Sequence, residues 1–308
     1  SHSYDGHMFD ANGNRREFPE GRYRADVLTD WAIEYLENRT NDRPFFLFIS
    51  YIEPHHQNDH NCYEGPHGSK EKFANFHVPG DLEGTEGDWR ENYPDYLGAI
   101  NSLDMNLGRI RECLQRLGSL DNTLVVFTSD HGSHFRTRNS EYKRSCHDGC
   151  THIPMVLCGP GFRGGVRYRE MVSLLDLPTT LLAAAGDPRY REFRRRPLQE
   201  LTQALDAEQP WPDDVYIQIS ESQCGRAIRT HRWKYSVRAP DVPRDALYAE
   251  RYVEDFLYDL ENDPHERNNL VADPNYRSVR EELRERLLRN MREANEPPAE
   301  IIPCESVE

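Results

Sequence analysis

The stretch NTLVVFTSDHGSHFRTRNSEYKRSCHDGCTHIPMVLCGP, residues 122–160, constrains the fold more than any other part of the chain. Residues 123–127 are a β-branched and apolar run that reads as a strand buried on both faces, and it stops abruptly at Thr128-Ser-Asp-His-Gly132. A second buried strand is expected over 153–157. The polar segment between the two runs to more than twenty residues, far beyond an ordinary connection, which marks a functional loop. Ligands of open α/β sheets bind beyond the carboxyl ends of strands, where loops converge on rigid roots. Asp130 and His131 can offer an oxygen and a nitrogen to one point there only from a turn, because neighbours within a strand point to opposite faces. Gly132 permits that turn. Asp130 and His131 are therefore candidate metal ligands, and an imidazole in the set favours Mn, Zn or Fe over calcium.

The flanking chain supplies an α/β frame. Residues 1–20 are rich in turn-formers and charge and read as a loop. Apolar residues at Val27, Leu28, Trp31, Ala32, Tyr35 and Leu36 predict a helix over 23–38. A buried strand over 45–51 follows and ends in Glu53-Pro-His-His56, so ionisable groups again stand at a carboxyl edge. Residues 57–93 have no convincing period and read as an excursion over the active-site face. Helix returns over 94–117, with Leu97, Ile100, Leu103, Leu107, Ile110 and Leu114 as its stripe, Pro94 in its first turn and Gly118 as its stop. A further helix runs from about Asp176 to Ala185, and residues 187–214 are charged and irregular. Short strands over 215–220, 226–230, 234–237 and 256–260 predict a small antiparallel sheet, covered by a charged amphipathic helix over 276–296. The expected organisation is a catalytic α/β domain over 1–210 and a small α+β domain over 211–308.

Composition narrows the partners. Lys and Arg number 38 against 53 Asp and Glu, a net charge of −15, which excludes a general affinity for nucleic acid or an anionic membrane. An anionic substrate has to be drawn in by local positive charge. No run approaches the length of a membrane span. Seven cysteines at irregular spacings are not a disulfide framework and leave the compartment open. Cys146 and Cys150 with His147, Asp148 and His152 are a weak zinc pattern, because one CxxxC lacks its second pair.

TSDHG, EYKRSCHDGCTHIPMVLCGPGF and SLLDLPTTLLAAAG, with RPFFLFISYIEPHH upstream and GRAIRTHRWKYSV and FLYDLENDPHERNNL downstream, resemble in order the second half of a type I sulfatase of the alkaline phosphatase superfamily. The resemblance implies an alkaline-phosphatase-like, mostly parallel sheet with flanking helices, followed by a small antiparallel-sheet domain. It implies hydrolysis of a sulfate ester on a small molecule or oligosaccharide. It places calcium at Asp130 and His131, with manganese second. His55, or His56 in its stead, matches the histidine beside the sulfate, and Lys143, with Arg144 as a lesser substitute, matches the lysine that binds it. His134, Arg136, Arg138, Asn139 and His147 lie on the long loop, either reading the rest of the substrate or solvated. Asp176, Pro178, Arg226, Trp233, Lys234 and Tyr235 match structural blocks.

The pattern breaks at the nucleophile. Such enzymes act through formylglycine made from Cys or Ser within Cys/Ser-x-Pro-x-Arg, and no cysteine here starts that motif. The resemblance therefore implies a C-terminal portion of a longer enzyme, with exposed apolar surface at residues 45–49 and 124–127 and a tendency to self-associate. Two rival readings remain: a phosphodiesterase or phosphonate monoester hydrolase of the same superfamily, and a non-catalytic remnant that grips an anionic glycan.

Overall fold

The computed structural model describes residues 3–40, 43–162, 164–203 and 210–304. The chain divides into two compact units, Ser1–Val78 with Gly87–Thr123, and Pro79–Glu86 with Leu124–Glu308. The boundary expected between 210 and 211 falls inside the second unit.

The first unit is helical. Helix α1 (Arg24–Glu37) matches its expected span to within a residue, and buries Ala25, Val27, Ala32 and Leu36. Residues expected to form only a loop pair instead as a short hairpin, β1 (His7–Phe9) with β2 (Arg15–Glu17). A five-residue helix, α2 (Ser69–Phe73), precedes the long α3 (Trp89–Arg116). Helix α3 starts five residues before Pro94, which lies inside it. Tertiary contacts draw in that extra turn: Trp89 and Asn92 are buried, and Asn92 Oδ1 accepts the Tyr63 N–H at 2.9 Å. Of the expected stripe Leu103, Ile110 and Leu114 are buried, but the buried face extends beyond it. Ile100 is exposed, while Gly98, Ala99, Ser102 and Asn106 are buried. Small residues there let α2 approach, since a Cβ on Gly98 would stand 2.0 Å from Ser69 Oγ. Asn106 Nδ2 ties α3 to α1 by donating to Asp26 Oδ1 at 2.8 Å.

The strand expected over 45–51 is not assigned, and the run joins no ladder among the described residues. Its alternation survives as exposure, with Phe46 at 71% and Phe48 at 77%. A strand needs a neighbour to satisfy its backbone and bury its face, and this run has the side chains of a buried strand without that neighbour.

The second unit carries two sheets. Strands β3 (Val125–Thr128) and β4 (Met155–Cys158) pair antiparallel, Val125 against Cys158 and Thr128 against Met155. A one-turn helix, α4 (Asp148–Thr151), precedes β4. Helices α5 (Asp176–Ala184) and α6 (Gln199–Gln203) lead to a five-stranded sheet ordered β5 (Asp214–Ile219), β6 (Gly225–Thr230), β7 (Trp233–Arg238), β8 (Arg251–Asp259) and β9 (Glu300–Ile302). Its first three pairings are antiparallel and the β8–β9 pairing is parallel. Strand β8 begins five residues before the expected start at 256, and β9 had no sequence expectation. Helix α7 (Arg277–Glu293) lays Leu283, Leu287 and Met291 into the core with Tyr235, Tyr252 and Leu257. Each of those leucines contributes roughly 1.5–3 kcal/mol by its burial. Trp233 and Tyr235 pack in this cluster, as expected of structural residues. No helix among the described residues is long and apolar enough to cross a membrane.

Candidate active site

The turn after β3 is tied down on both sides. Thr128 Oγ1 donates to Pro154 O at 2.9 Å, Ser129 Oγ donates to His131 O at 2.8 Å, and the Gly132 N–H donates to Cys150 O at 2.8 Å. Gly132 is required for close approach: a Cβ would lie 2.2 Å from Gly149 O. Asp130 projects outward with its side chain 83% exposed, and its Oδ1 accepts the His131 N–H at 2.9 Å. His131 Nδ1–H donates to Gly132 O at 2.8 Å, which fixes the tautomer and leaves Nε2 unprotonated. Lys143 Nζ comes within 3.0 Å of that Nε2, and Asp130 Oδ2 within 3.5 Å. Burial, then the neighbouring Arg144, pushes the Lys143 ammonium below its usual range.

A carboxylate oxygen and an imidazole nitrogen 3.5 Å apart are two donors a divalent cation could take, once Lys143 Nζ, 3.0 Å away, gives up the nitrogen lone pair that it faces. The described residues contain no group of three or more His, Cys, Asp or Glu able to hold a metal, so the pair alone falls short of the six to eight oxygens calcium prefers. The same finding removes the zinc pattern around Cys146 and Cys150. Both thiols are buried, and burial pushes the Cys146 thiol up to about 12.

The loop residues expected at substrate are engaged elsewhere. His134 is 1% exposed, with its backbone N–H on Tyr142 O at 2.8 Å and Nε2 3.2 Å from Lys143 O. Burial holds its imidazole neutral, down to about 4. His147 is buried against Phe256, with Nε2 3.0 Å from the Tyr258 hydroxyl, and burial lowers it to about 2. Arg138 spends its guanidinium on the Glu266 and His265 carbonyls at 2.7 and 2.8 Å. His134 thus bonds to the loop's own backbone, whereas Arg138 and His147 bond to residues 258–266, so in this structure these polar atoms already have protein partners.

His55 and His56 belong to the first unit. His55 is half-buried, and its Nδ1–H donates to His56 O at 2.6 Å. His56 is buried, with Nδ1–H donating to Asn58 Oδ1 at 3.2 Å and its ring edge-on to Tyr63. Of the two, His55 retains solvent access. Glu53, read as an ionisable group at the strand end, is instead buried and held by Arg24 Nε at 2.9 Å. Burial outweighs that arginine and raises the Glu53 carboxyl.

Sequence reasoning missed the salt-bridge network beneath the loop. Lys234, fully buried at the inward side of β7, contacts Asp148 and lies 2.5 Å from Glu266 Oε1. Glu266 Oε2 accepts the Asp148 N–H at 2.7 Å, and Arg229 reaches Asp148 Oδ2 at 3.2 Å. Burial opposes ionisation of Asp148, but Lys234 and Arg229 prevail and hold it at about 2. A lysine between Trp233 and Tyr235 within a strand was the available signal, since a cation there needs buried partners. Asp176 is likewise structural, buried and gripped by Arg195 at 2.7 and 3.1 Å.

Solved structures share this fold. A putative sulfatase from Bacteroides fragilis superposes with a TM-score of 0.79 at 22% identity, covering 96% of this chain and 64% of that one. A protein solved in complex with its substrate D-glucosamine-2-N,6-O-disulfate gives a TM-score of 0.72 at 19% identity, over 95% of this chain and 74% of that one. The architecture is thus alkaline-phosphatase-like α/β with a C-terminal sheet-and-helix part, although the mostly parallel sheet expected is not seen among the described residues, where β3 and β4 pair antiparallel. The chain belongs to the sulfatase family: the Sulfatase profile matches residues 3–187, and that of the N-sulphoglucosamine sulphohydrolase C-terminal region matches residues 140–293. Arylsulfatase K of Rattus norvegicus is 27% identical over 197 residues, 61% of this chain and 33% of that protein. The chain spans about a third of the length of such curated relatives.

Proposed function

We propose that this chain serves a sulfuric ester hydrolase acting on a sulfated carbohydrate, with Lys143 as the cation that receives the sulfate group. The observation that carries this reading is that His131 Nε2, on a tied turn, has Lys143 Nζ at 3.0 Å and Asp130 Oδ2 at 3.5 Å. Lys143 stabilises the negative charge that gathers on the sulfate oxygens in the transition state. His55, the accessible histidine of its pair, gives a proton to the departing alcohol. Asp130 and His131 would hold a divalent cation, calcium first and manganese second, which supplies Lewis-acid stabilisation when bound. The Cys/Ser-x-Pro-x-Arg motif does not occur in the 308 residues, so these side chains account for binding and charge stabilisation and not for attack on sulfur. A sulfated amino sugar is favoured as substrate by the matched N-sulphoglucosamine sulphohydrolase region and by the disulfated glucosamine bound in one structural relative. The exposed Phe46 and Phe48 support self-association of this chain, and a monomer at all concentrations in sedimentation would contradict that part.

Calorimetric titration with 4-nitrophenyl sulfate and with phenyl phosphonate tests the reading. The sulfate ester should bind more tightly, and Lys143→Ala should weaken it by about tenfold, ~1.4 kcal/mol. Preference for the phosphonate, or binding indifferent to Lys143→Ala, would overturn it.

A further inference from the structure

The loop between His131 and Lys143 holds strained backbone. Phe135 and Arg136 hold φ of 49° and 59°, and Arg144, directly after Lys143, holds 65°. Non-glycine residues persist in the left-handed region only where their surroundings over-determine them, and such strain clusters at functional sites. Here the surroundings are a clasp across the loop's neck. His134 N–H and Ser133 Oγ both donate to Tyr142 O, at 2.8 and 3.2 Å. One residue further, the Lys143 carbonyl meets His134 Nε2 at 3.2 Å and Asn139 Nδ2 at 3.4 Å. Phe135 and Tyr142 are buried beside it and keep water out of the neck.

We propose that His134 is a positioning residue for Lys143: its Nε2–H anchors the Lys143 carbonyl and so fixes where that ammonium meets an anion. The inference rests on the reading of Lys143 as the sulfate-binding cation. Because a carbonyl can only accept, Nε2 carries the proton. Nδ1 is buried without a hydrogen-bond partner among the described residues. The polar ring is therefore retained in an apolar neck at the cost of one unsatisfied nitrogen, and the bond to Lys143 is what its other nitrogen gains. Asn139 supplies the second donor to the same carbonyl, while its Oδ1 accepts the Glu141 N–H at 2.8 Å. A lysine side chain has four rotatable bonds, so its tip can be preorganised only if its backbone is held.

Inorganic sulfate titrated calorimetrically into the full chain, at a temperature where circular dichroism shows each variant folded, decides the matter. His134→Leu should weaken sulfate binding about tenfold. His134→Gln, whose amide places a donor near the Nε2 position, should stay within about twofold of the parent. Asn139→Ser, at a half-buried site, should lose about threefold and keeps the test available if His134→Leu fails to fold. Sulfate binding lost in Lys143→Ala but kept in His134→Leu would overturn the positioning role alone. Equal losses in His134→Leu and His134→Gln would also overturn it, since packing and not the donated bond would then be at work. Binding unchanged in Lys143→Ala would instead overturn the reading on which the inference rests.

Discussion

Lys143 Nζ stands 3.0 Å from His131 Nε2, twelve positions away in sequence, and the bond from His131 Nδ1 to Gly132 O presents that nitrogen to it. A cation, an imidazole and the Asp130 carboxylate thereby share one small volume at the end of a short strand.

Gly132 is the tightest backbone contact of the turn. Gly132→Ala would force a Cβ to 2.2 Å from Gly149 O, a backbone atom that cannot swing aside, and should cost about 1–3 kcal/mol. Gly108 on α3 meets nothing within 4 Å, so Gly108→Ala should instead gain up to about 1 kcal/mol. Urea unfolding midpoints of the two variants should move in opposite directions.

Arg24 and Glu53 are a buried pair, 2% and 1% exposed at the side chain, joining α1 to the turn that carries His55. Arg24→Met should destabilise by about 3–5 kcal/mol because it strands a buried carboxylate. The double variant Arg24→Met with Glu53→Leu should recover much of that loss. A double-mutant cycle by chemical denaturation checks this, and simple additivity would contradict it.

Which parts of this were legible in the sequence depended on range. Asp130 and His131 could be singled out because a turn at a strand end is local, whereas Lys143 stood out only through the resemblance to the family's sulfate-binding lysine. The directions of His134, Arg138 and His147 were not legible, since a polar loop residue faces inward or outward according to which backbone groups need it. The run around Phe46 and Phe48 reads as a buried strand, but it is assigned no strand and both rings are exposed, because a pattern carries no information on whether a neighbour is present. The early start of α3 and the Asp148–Lys234–Glu266 network depend on contacts between distant residues. Lys234 alone, set inside a strand, left a trace of them.

Two buried histidines set an acid limit. His134 and His147 are held neutral by burial, lowered to about 4 and about 2, whereas an unfolded histidine titrates near 6.5. The unfolded chain therefore binds more protons below about pH 6.5, and stability falls as pH drops from there toward about 4. Each histidine should add about 1.4 kcal/mol per pH unit to the slope. In denaturant titrations across that window, His134→Gln should remove one proton of the dependence, and an unchanged slope would contradict the assignment.

The central claim is that Lys143, beside His131 and Asp130, receives the sulfate group. Its most direct measurement is a crystal structure of this chain soaked with 4-nitrophenyl sulfate. The account predicts sulfate density with an oxygen within hydrogen-bond distance of Lys143 Nζ, next to the Asp130–His131 turn. Well-defined sulfate density elsewhere, with none at Lys143, would contradict it.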